Sequence, residues 1–147
     1  MAIPEPQFDE LYRELILDHY RRPRNHGALA TVTQHAEGMN PVCGDEIALD
    51  LDVRGGTIED IAFSGQGCSI SQASASMLTE RVKGRRVDEV RDVAAAFKAM
   101  MNGEEPAPSL GDLEALQGVA KFPVRVKCAL LSWKVLEEGL AQAGHAA

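Results

Sequence analysis

The 147-residue sequence lacks several features that would assign it to a membrane or secreted class of protein. It has no apolar run near the roughly 20 residues that a membrane-spanning helix requires. Its first ten residues contain acids and prolines instead of the lysines and apolar stretch of a secretory signal peptide. We therefore predict a cytoplasmic protein with no membrane partner. The length suits a single domain, 1–147, that buries its own core.

The sequence also lacks an excess of positive charge. The formal net charge is -7 and the isoelectric point is about 5.1. Binding to nucleic acid depends on lysine and arginine side chains that neutralise phosphates. We therefore expect no nucleic-acid partner.

Cysteine is scarce, and its number and spacing argue against a disulfide framework. The chain has three cysteines, Cys43, Cys68 and Cys128. An odd number in a cytosolic chain is untypical of a disulfide-stabilised protein. No two cysteines form a C-x-x-C pair, so spacing alone gives no zinc signature. For each one, the simplest interpretation is a small buried apolar side chain.

The patterns of apolar residues predict an α+β fold with an antiparallel sheet. Alternating residues over 47–53 and the segment "TIEDIAFS" predict two strands joined by a turn at "RGG", with a possible bulge in the second strand. A short strand is also expected around 31–35. Five helices are expected, beginning near Phe8, at Ser69, near Asp88, at Ser109 and near Pro123.

Two details of these helices bear on the later argument. Ser69 and Gln72 have the S-x-x-Q spacing of a capping box, which predicts that they cap the second helix. His19 lies on the apolar face of the first helix, which ends by Pro23. We interpret His19 as a core-edge or surface histidine and not as a ligand.

Each cysteine has a local source of thiolate character or a neighbouring ligand. Cys68 precedes the second helix, whose N-terminus stabilises a thiolate. Cys128 lies in the first turns of the last helix, near the cations of Arg125 and Lys127. Cys43 lies on a glycine-flanked loop, with Asp45 on the same side of an extended chain.

Together these groups have the chemistry of a ligand set for one metal ion. Three thiolates and one carboxylate would fill the tetrahedral shell of zinc. A carboxylate matches zinc less well than a thiolate does, so the Asp45 ligand would suit a site whose ligands must exchange. Metal binding is one interpretation of the cysteines, and inert burial is the other.

The sequence resembles the IscU/SufU family of iron–sulfur cluster assembly proteins, which includes NifU N-terminal domains. The resemblance covers most of the chain and rests on the segments "LILDHYRRPRNHG", "NPVCGDEI", "GQGCSISQASAS" and "FPVRVKCALLSWKVL". It implies a small three-stranded antiparallel sheet with about five helices packed around it. It also implies a metal site at one exposed end of the fold.

Three departures favour the SufU branch over the IscU branch. Lys127 replaces the histidine that precedes the third cysteine in IscU-type scaffolds. The segment "KFPVRVK" retains only part of their L-P-P-V-K chaperone-binding motif. Residues 84–108 are longer than the equivalent region of IscU. The SufU branch is a group of zinc-bound sulfur acceptors for cysteine desulfurases.

The resemblance implies a mechanism and assigns a role to each site residue. The zinc ligands would be Cys43, Asp45, Cys68 and Cys128. A histidine of a SufS-type cysteine desulfurase would replace Cys43 on the zinc, and the freed thiolate would accept persulfide sulfur. Arg125 and Lys127 would support the site by offsetting its negative charge. The chain would then be a zinc-dependent sulfurtransferase that passes sulfur to a downstream iron–sulfur assembly scaffold.

Two other functions stay open at the level of sequence. The same ligands could hold iron or an iron–sulfur cluster, which would make the protein a scaffold for cluster assembly. Alternatively, the zinc could be purely structural in a domain that only mediates contacts. Structural zinc sites are usually closed sets of cysteine and histidine, so an aspartate on a loop disfavours this last function.

Overall fold

The computed structural model describes residues 10–146, and the side chains of residues 12–142. The elements in chain order are α1 (Glu10–Arg21), β1 (Gln34–Asn40), β2 (Asp45–Arg54), β3 (Thr57–Gln66), α2 (Ser69–Val82), α3 (Val87–Met101), a 3₁₀ segment (Pro108–Lys121) and α4 (Pro123–Ala146). The strands form one antiparallel sheet in the order β1-β2-β3. The predicted α+β class, with three strands and about five helices, is confirmed. Phe8, where the first helix was expected to begin, lies outside the described residues.

The sheet follows the alternation of its sequence. In β2, Ile47, Leu49 and Leu51 point inward and are buried. The predicted turn between β2 and β3 is present, and the bulge is confirmed by a register shift beside Asp52 and Val53. The first strand was placed too early, because β1 runs over Gln34–Asn40 and not around 31–35. Most residues of this strand are polar, so a search for alternating apolar residues does not find it.

Helix α4 covers the inner face of the sheet, and glycine allows the two to approach closely. A Cβ atom at Gly38 of β1 would lie 2.7 Å from Val135 Cγ2. A Cβ atom at Gly139 of α4 would lie 2.8 Å from Leu51 Cδ1. Such separations are too short for real side chains, so these glycines set the distance between helix and sheet. The first turns of α4 are thereby held at one end of the sheet.

Helix α2 is the centre of the core and is buried on nearly every side. Its sequence alternates small and apolar residues, and the buried set includes Ile70, Ala73, Ser74, Ala75, Ser76, Met77 and Leu78. Small side chains let α1, α4 and β3 all pack against it. Because α2 is so enclosed, its N-terminus is a rigid point on which a site can be built.

His19 of α1 differs from its prediction as a core-edge or surface residue. It is buried in the α1–α2 contact, with 1% of its surface exposed. Its Nδ1 lies 2.7 Å from Ser76 Oγ, and its Nε2 lies 3.4 Å from Glu80 Oε1. Burial lowers the pKa of His19 from its ordinary value. The short Ser76 side chain of α2 leaves room for this ring, which a count of apolar residues on α1 alone does not show.

None of the described helices is both long and apolar enough to span a bilayer. The longest, α4, carries charged residues along its length.

Candidate metal centre

Four parts of the chain converge at one end of the sheet. They are the connection between β1 and β2, the first residue of β2, the junction between β3 and α2, and the first turns of α4. Asn40 and Asp45 are paired across β1 and β2 and so close a loop of four residues, 41–44. The loop carries Cys43, and Gly44 takes a positive φ of 70° within it. Glycine adopts this conformation without the strain that a side chain would cause.

Three of the predicted site residues form a tight cluster. The ligand atoms of Cys43, Asp45 and Cys128 all lie within 4.8 Å of one another. The two sulfur atoms of Cys128 and Cys43 are 3.0 Å apart, and both cysteines are free thiols. Asp45 is fully buried, Cys128 is 1% exposed, and Cys43 is half-buried. Cys43 is therefore the member of the cluster that solvent can reach best.

Cys68 lies beside this cluster but its sulfur is not part of it. Its backbone N–H donates a hydrogen bond to Asp45 Oδ1 at 2.9 Å. Its Sγ accepts a hydrogen bond from the backbone N–H of Ser71 at 3.5 Å. Cys68 itself is thus the N-cap of α2. The capping box predicted from Ser69 and Gln72 is wrong by one residue, because the extended backbone of Cys68 places its sulfur over the first free N–H groups.

Asp45 is the strongest sign that the site holds a cation. Its Oδ2 is buried and has no hydrogen-bond partner among the described residues. Burying a carboxylate oxygen without a partner costs several kcal/mol unless a proton or cation compensates it. Gly67 leaves space for the carboxylate, since a Cβ atom there would lie 2.3 Å from Asp45 Oδ1. The donor chemistry of two thiols and an unpaired carboxylate oxygen fits zinc.

The surroundings of Cys128 favour a protonated thiol when no cation is bound. Burial raises the pKa of Cys128 strongly, and the neighbouring Cys43 thiol and Asp45 carboxylate raise it further. The sequence suggested the opposite, since Arg125 and Lys127 lie close in the chain. Arg125 is half-buried and Lys127 is exposed, so their charges do not outweigh the burial of the thiol. A bound cation is what would favour the thiolate here.

Sequence reasoning missed one residue of this site. Asn40, the last residue of β1, is 8% exposed. Its Nδ2 lies 3.9 Å from Cys128 Sγ, and its Oδ1 accepts the backbone N–H of Val42 at 3.3 Å. The dipeptide Asn-Pro, which favours the start of a turn, was the available signal.

Three exposed apolar side chains belong to the segments that build the site. Met39, Val42 and Val124 are 63%, 69% and 56% exposed. They come from β1, the Cys43 loop and α4, which are the segments that carry Asn40, Cys43 and Cys128. Exposed apolar side chains near a reactive group are typical of a surface that meets another protein.

Comparison with known proteins agrees with this geometry. The model of the NifU-like N-terminal domain matches residues 11–129. The zinc-dependent sulfurtransferase SufU of Bacillus subtilis is 50% identical over 136 residues, which cover 91% of this chain and 92% of the relative. The iron–sulfur cluster assembly scaffold protein IscU of Streptococcus pyogenes is 43% identical, with 95% and 89% covered.

A solved structure has a similar fold. The N-terminal part of a nitrogen-fixing NifU-like protein from Brucella abortus matches with a TM-score of 0.85 and 26% identity, covering 95% of this chain and 98% of that one. The match of sequence therefore extends to the arrangement of strands and helices that builds the cysteine site. The chain belongs to the family of NifU-like N-terminal domains, together with the SufU and IscU proteins.

Proposed function

We propose that this protein is a zinc-dependent sulfur acceptor that takes persulfide sulfur from a SufS-type cysteine desulfurase for iron–sulfur cluster biogenesis. The observation that carries the proposal is the cluster of Cys43, Asp45 and Cys128, in which one thiol faces solvent and two groups are buried. The 50% identity to a zinc-dependent sulfurtransferase supports it. In this function the protein is an enzyme of the sulfurtransferase type.

The proposed zinc ligands are Cys43, Asp45, Cys68 and Cys128. The unpartnered Asp45 Oδ2 and the neighbouring sulfur atoms supply a suitable donor set. Cys68 joins the set because its backbone already holds Asp45. Zinc, when bound, keeps the thiols deprotonated at neutral pH and compensates part of their charge. Arg125 and Lys127, at the start of α4, are proposed to offset the negative charge that three thiolates and a carboxylate leave over.

Cys43 is proposed as the sulfur acceptor. Its thiolate attacks the terminal sulfur of the persulfide on the desulfurase cysteine, and a new S–S bond forms on Cys43. The S–S bond within the desulfurase breaks, and its cysteine leaves as a thiolate, so no outside oxidant or reductant is needed. Gly44 gives the loop of Cys43 freedom to move, whereas Cys68 and Cys128 are held by α2 and α4.

The exposed apolar side chains near the site are proposed to receive the desulfurase. Met39, Val42 and Val124 would be covered by the partner while its persulfide reaches Cys43. The downstream recipient is proposed to be an iron–sulfur assembly scaffold. The cytoplasmic location predicted from the sequence is part of the same proposal.

The test measures cysteine desulfurase turnover with and without this protein. Wild type should accelerate alanine release, and Cys43→Ser should abolish the acceleration while it keeps partial zinc binding. Cys128→Ser is the matched control: it should lose zinc more completely and lower stability, since a structural metal contributes folding energy. After one turnover, mass spectrometry of tryptic peptides should find one added sulfur on Cys43. An adduct found mainly on Cys68 or Cys128 would contradict the assignment.

A cluster scaffold is the second candidate, and the 43% identity to an IscU scaffold favours it. The same side chains would then hold iron or an iron–sulfur cluster. Anaerobic reconstitution with iron and sulfide, followed by transfer to a metal-free acceptor protein, separates the two functions. A cluster that forms and transfers at a useful rate would favour the scaffold. Fast sulfur acceptance with an unstable cluster would favour the sulfurtransferase.

A further inference from the structure

Asn40 links the loop of Cys43 to the buried thiol of Cys128. Both ends of its amide are engaged: Oδ1 accepts the backbone N–H of Val42, and Nδ2 lies 3.9 Å from Cys128 Sγ. The first contact fixes which end is the oxygen, because an NH₂ group cannot accept from Val42. It is also an Asx turn, with Pro41 at the next position, which sets the direction of the loop. Both polar ends of this buried amide therefore have partners, as buried polar groups generally do.

The four proposed ligands differ in the N–H hydrogen bonds that they accept from neighbouring residues. Asp45 accepts the backbone N–H of Cys68, and Cys68 accepts that of Ser71. Cys128 faces the amide N–H of Asn40. Within the part of the chain that the structure describes, the sulfur of Cys43 has only the thiol of Cys128 as a hydrogen-bond partner.

This difference has a direct chemical consequence. A hydrogen bond from N–H to a metal-bound thiolate withdraws charge from the sulfur, orients it and lowers its nucleophilicity. The ligand without such a donor is the most nucleophilic one and the least firmly oriented. Those are the two properties that a sulfur acceptor needs.

We propose that Asn40 is a positioning residue that keeps Cys128 as a retained ligand and leaves Cys43 as the ligand that exchanges. The proposal rests on the proposed zinc site and sulfur transfer. The amide N–H of Asn40 orients the sulfur of Cys128 and lowers its nucleophilicity. The carbonyl oxygen of the same side chain fixes the start of the loop that carries Cys43. One side chain thus makes two chemically identical thiols unequal.

Two substitutions separate these roles. In Asn40→Ser, the hydroxyl can still accept the N–H of Val42 in a turn of the same type, but it is too short to reach Cys128. Asn40→Ala removes both contacts, and its side chain has nearly the same volume as that of Asn40→Ser. Asn102→Ser changes an exposed asparagine at the end of α3 and is the matched control.

The first measurement uses metal alone, without a desulfurase. Zinc affinity, from competition with a chromophoric chelator, should fall by about tenfold to a hundredfold in Asn40→Ser, as is typical when a residue that orients a ligand is lost. In the Co²⁺-substituted protein, the sulfur-to-cobalt charge-transfer band should move to longer wavelength, because a sulfur without its N–H donor is richer in electrons. Asn40→Ala should show the same band shift, and Asn102→Ser should match wild type.

The second measurement compares the thiols of the zinc-loaded protein. Limited alkylation by iodoacetamide should label Cys43 first in wild type and should label a larger fraction of Cys128 in Asn40→Ser. An unchanged cobalt band, or an unchanged ratio of labelling, in both Asn40 variants would overturn the proposal. Circular dichroism checks folding, and Asn40→Ala decides the matter if Asn40→Ser does not fold. A wild type that binds zinc but never accepts sulfur would refute the proposed function, while the cobalt band would still report on the Asn40 contact.

Discussion

Two connections join the three strands of the same sheet, and they lie at opposite ends of it. The turn between β2 and β3 consists of Gly55 and Gly56, both at positive φ, and a Cβ atom at either would meet no atom within 4 Å. The connection between β1 and β2 has four residues, and its Cys43 contacts Cys128 of α4. The first connection reverses the chain and carries no side chain. The second reverses the chain and also presents a reactive group against α4.

The difference shows why the site lies at one end of the sheet and not the other. The two-residue turn has open space around its Cα atoms, and among the described residues its one hydrogen bond beyond the strands is from the N–H of Val87 to the C=O of Gly56 at 2.8 Å. The longer connection can place a thiol because both of its ends are fixed. Asn40 accepts the N–H of Val42 at one end, and Asp45 at the other end accepts the backbone N–H of Cys68. Substitutions should therefore have larger effects near Asp45 than near Gly56.

The largest effect is expected from Gly67→Ala, compared with Gly56→Ala. A Cβ atom at Gly67 would lie 2.3 Å from Asp45 Oδ1 and 3.0 Å from Asp45 Cα, so the buried carboxylate must move. The free energy of unfolding should fall by about 2–4 kcal/mol, and zinc affinity should fall as well. Gly56→Ala places an alanine at positive φ, so the free energy of unfolding should fall by about 1–2 kcal/mol. It should leave zinc binding unchanged.

Denaturant unfolding of the metal-free proteins and chelator competition measure the two quantities. Equal losses of stability, with zinc affinity intact in both variants, would show that Gly67 does not shape the site.

The same contrast explains how much of the fold the sequence could predict. The Gly-Gly turn, the alternation in β2 and the span of α3 depend on local chemistry, so periodicity and turn residues find them. Strand β1 was misplaced because it lacks the alternating apolar residues that reveal a strand. At Gly38 it packs against Val135 of α4 without a side chain of its own. His19 was misjudged because the space for it comes from Ser76, which lies 57 positions along the chain.

The candidate site divides in a similar way. The cysteines and Asp45 were identified by residue type and by resemblance, because few side chains bind zinc. The capping role of Cys68 and the contact of Asn40 with Cys128 depend on exact backbone directions at the meeting of distant segments. Residue type alone does not contain that information, since asparagine and a helix-preceding cysteine both have common structural roles.

An intermediate effect is expected from Gly44→Asn, compared with Gly55→Asn. Both glycines have a positive φ, 70° and 57°, and neither would place a Cβ atom within 4 Å of another residue. Asparagine tolerates this conformation, so each variant should keep its stability within about 0.5 kcal/mol. Gly44→Asn should slow sulfur acceptance by about threefold to tenfold, because it stiffens the loop that moves Cys43.

Gly55→Asn, at the other end of the sheet, should transfer sulfur at the wild-type rate. The measurement is the rate of alanine release by the desulfurase at saturating concentrations of each variant. Equal rates for the two variants would mean that mobility at Gly44 is not used.

The smallest effect concerns His35, which lies on β1 toward the end that is remote from the cysteines. Its Nδ1 lies 2.6 Å from Asp50 Oδ1 and its Nε2 lies 3.2 Å from Glu37 Oε1. The hydrogen bond to Asp50, and then that to Glu37, raises the pKa of His35 above its ordinary value. The folded protein therefore binds the proton more tightly than the unfolded chain does. The resulting stability is fully present below the unfolded pKa of about 6.5 and is lost as the pH rises through the folded value.

His35→Gln should accordingly cost about 0.5 kcal/mol at pH 5.5 and less at pH 8, since the pair is half exposed and screened by solvent. His19→Gln supplies the contrast. Burial lowers the pKa of His19, so the stability that this histidine contributes should decrease as the pH falls below about 6.5. Denaturant unfolding of the metal-free proteins between these two pH values measures both slopes. Slopes of the same sign for the two variants would show that the carboxylates of Asp50 and Glu37 do not hold a proton on His35.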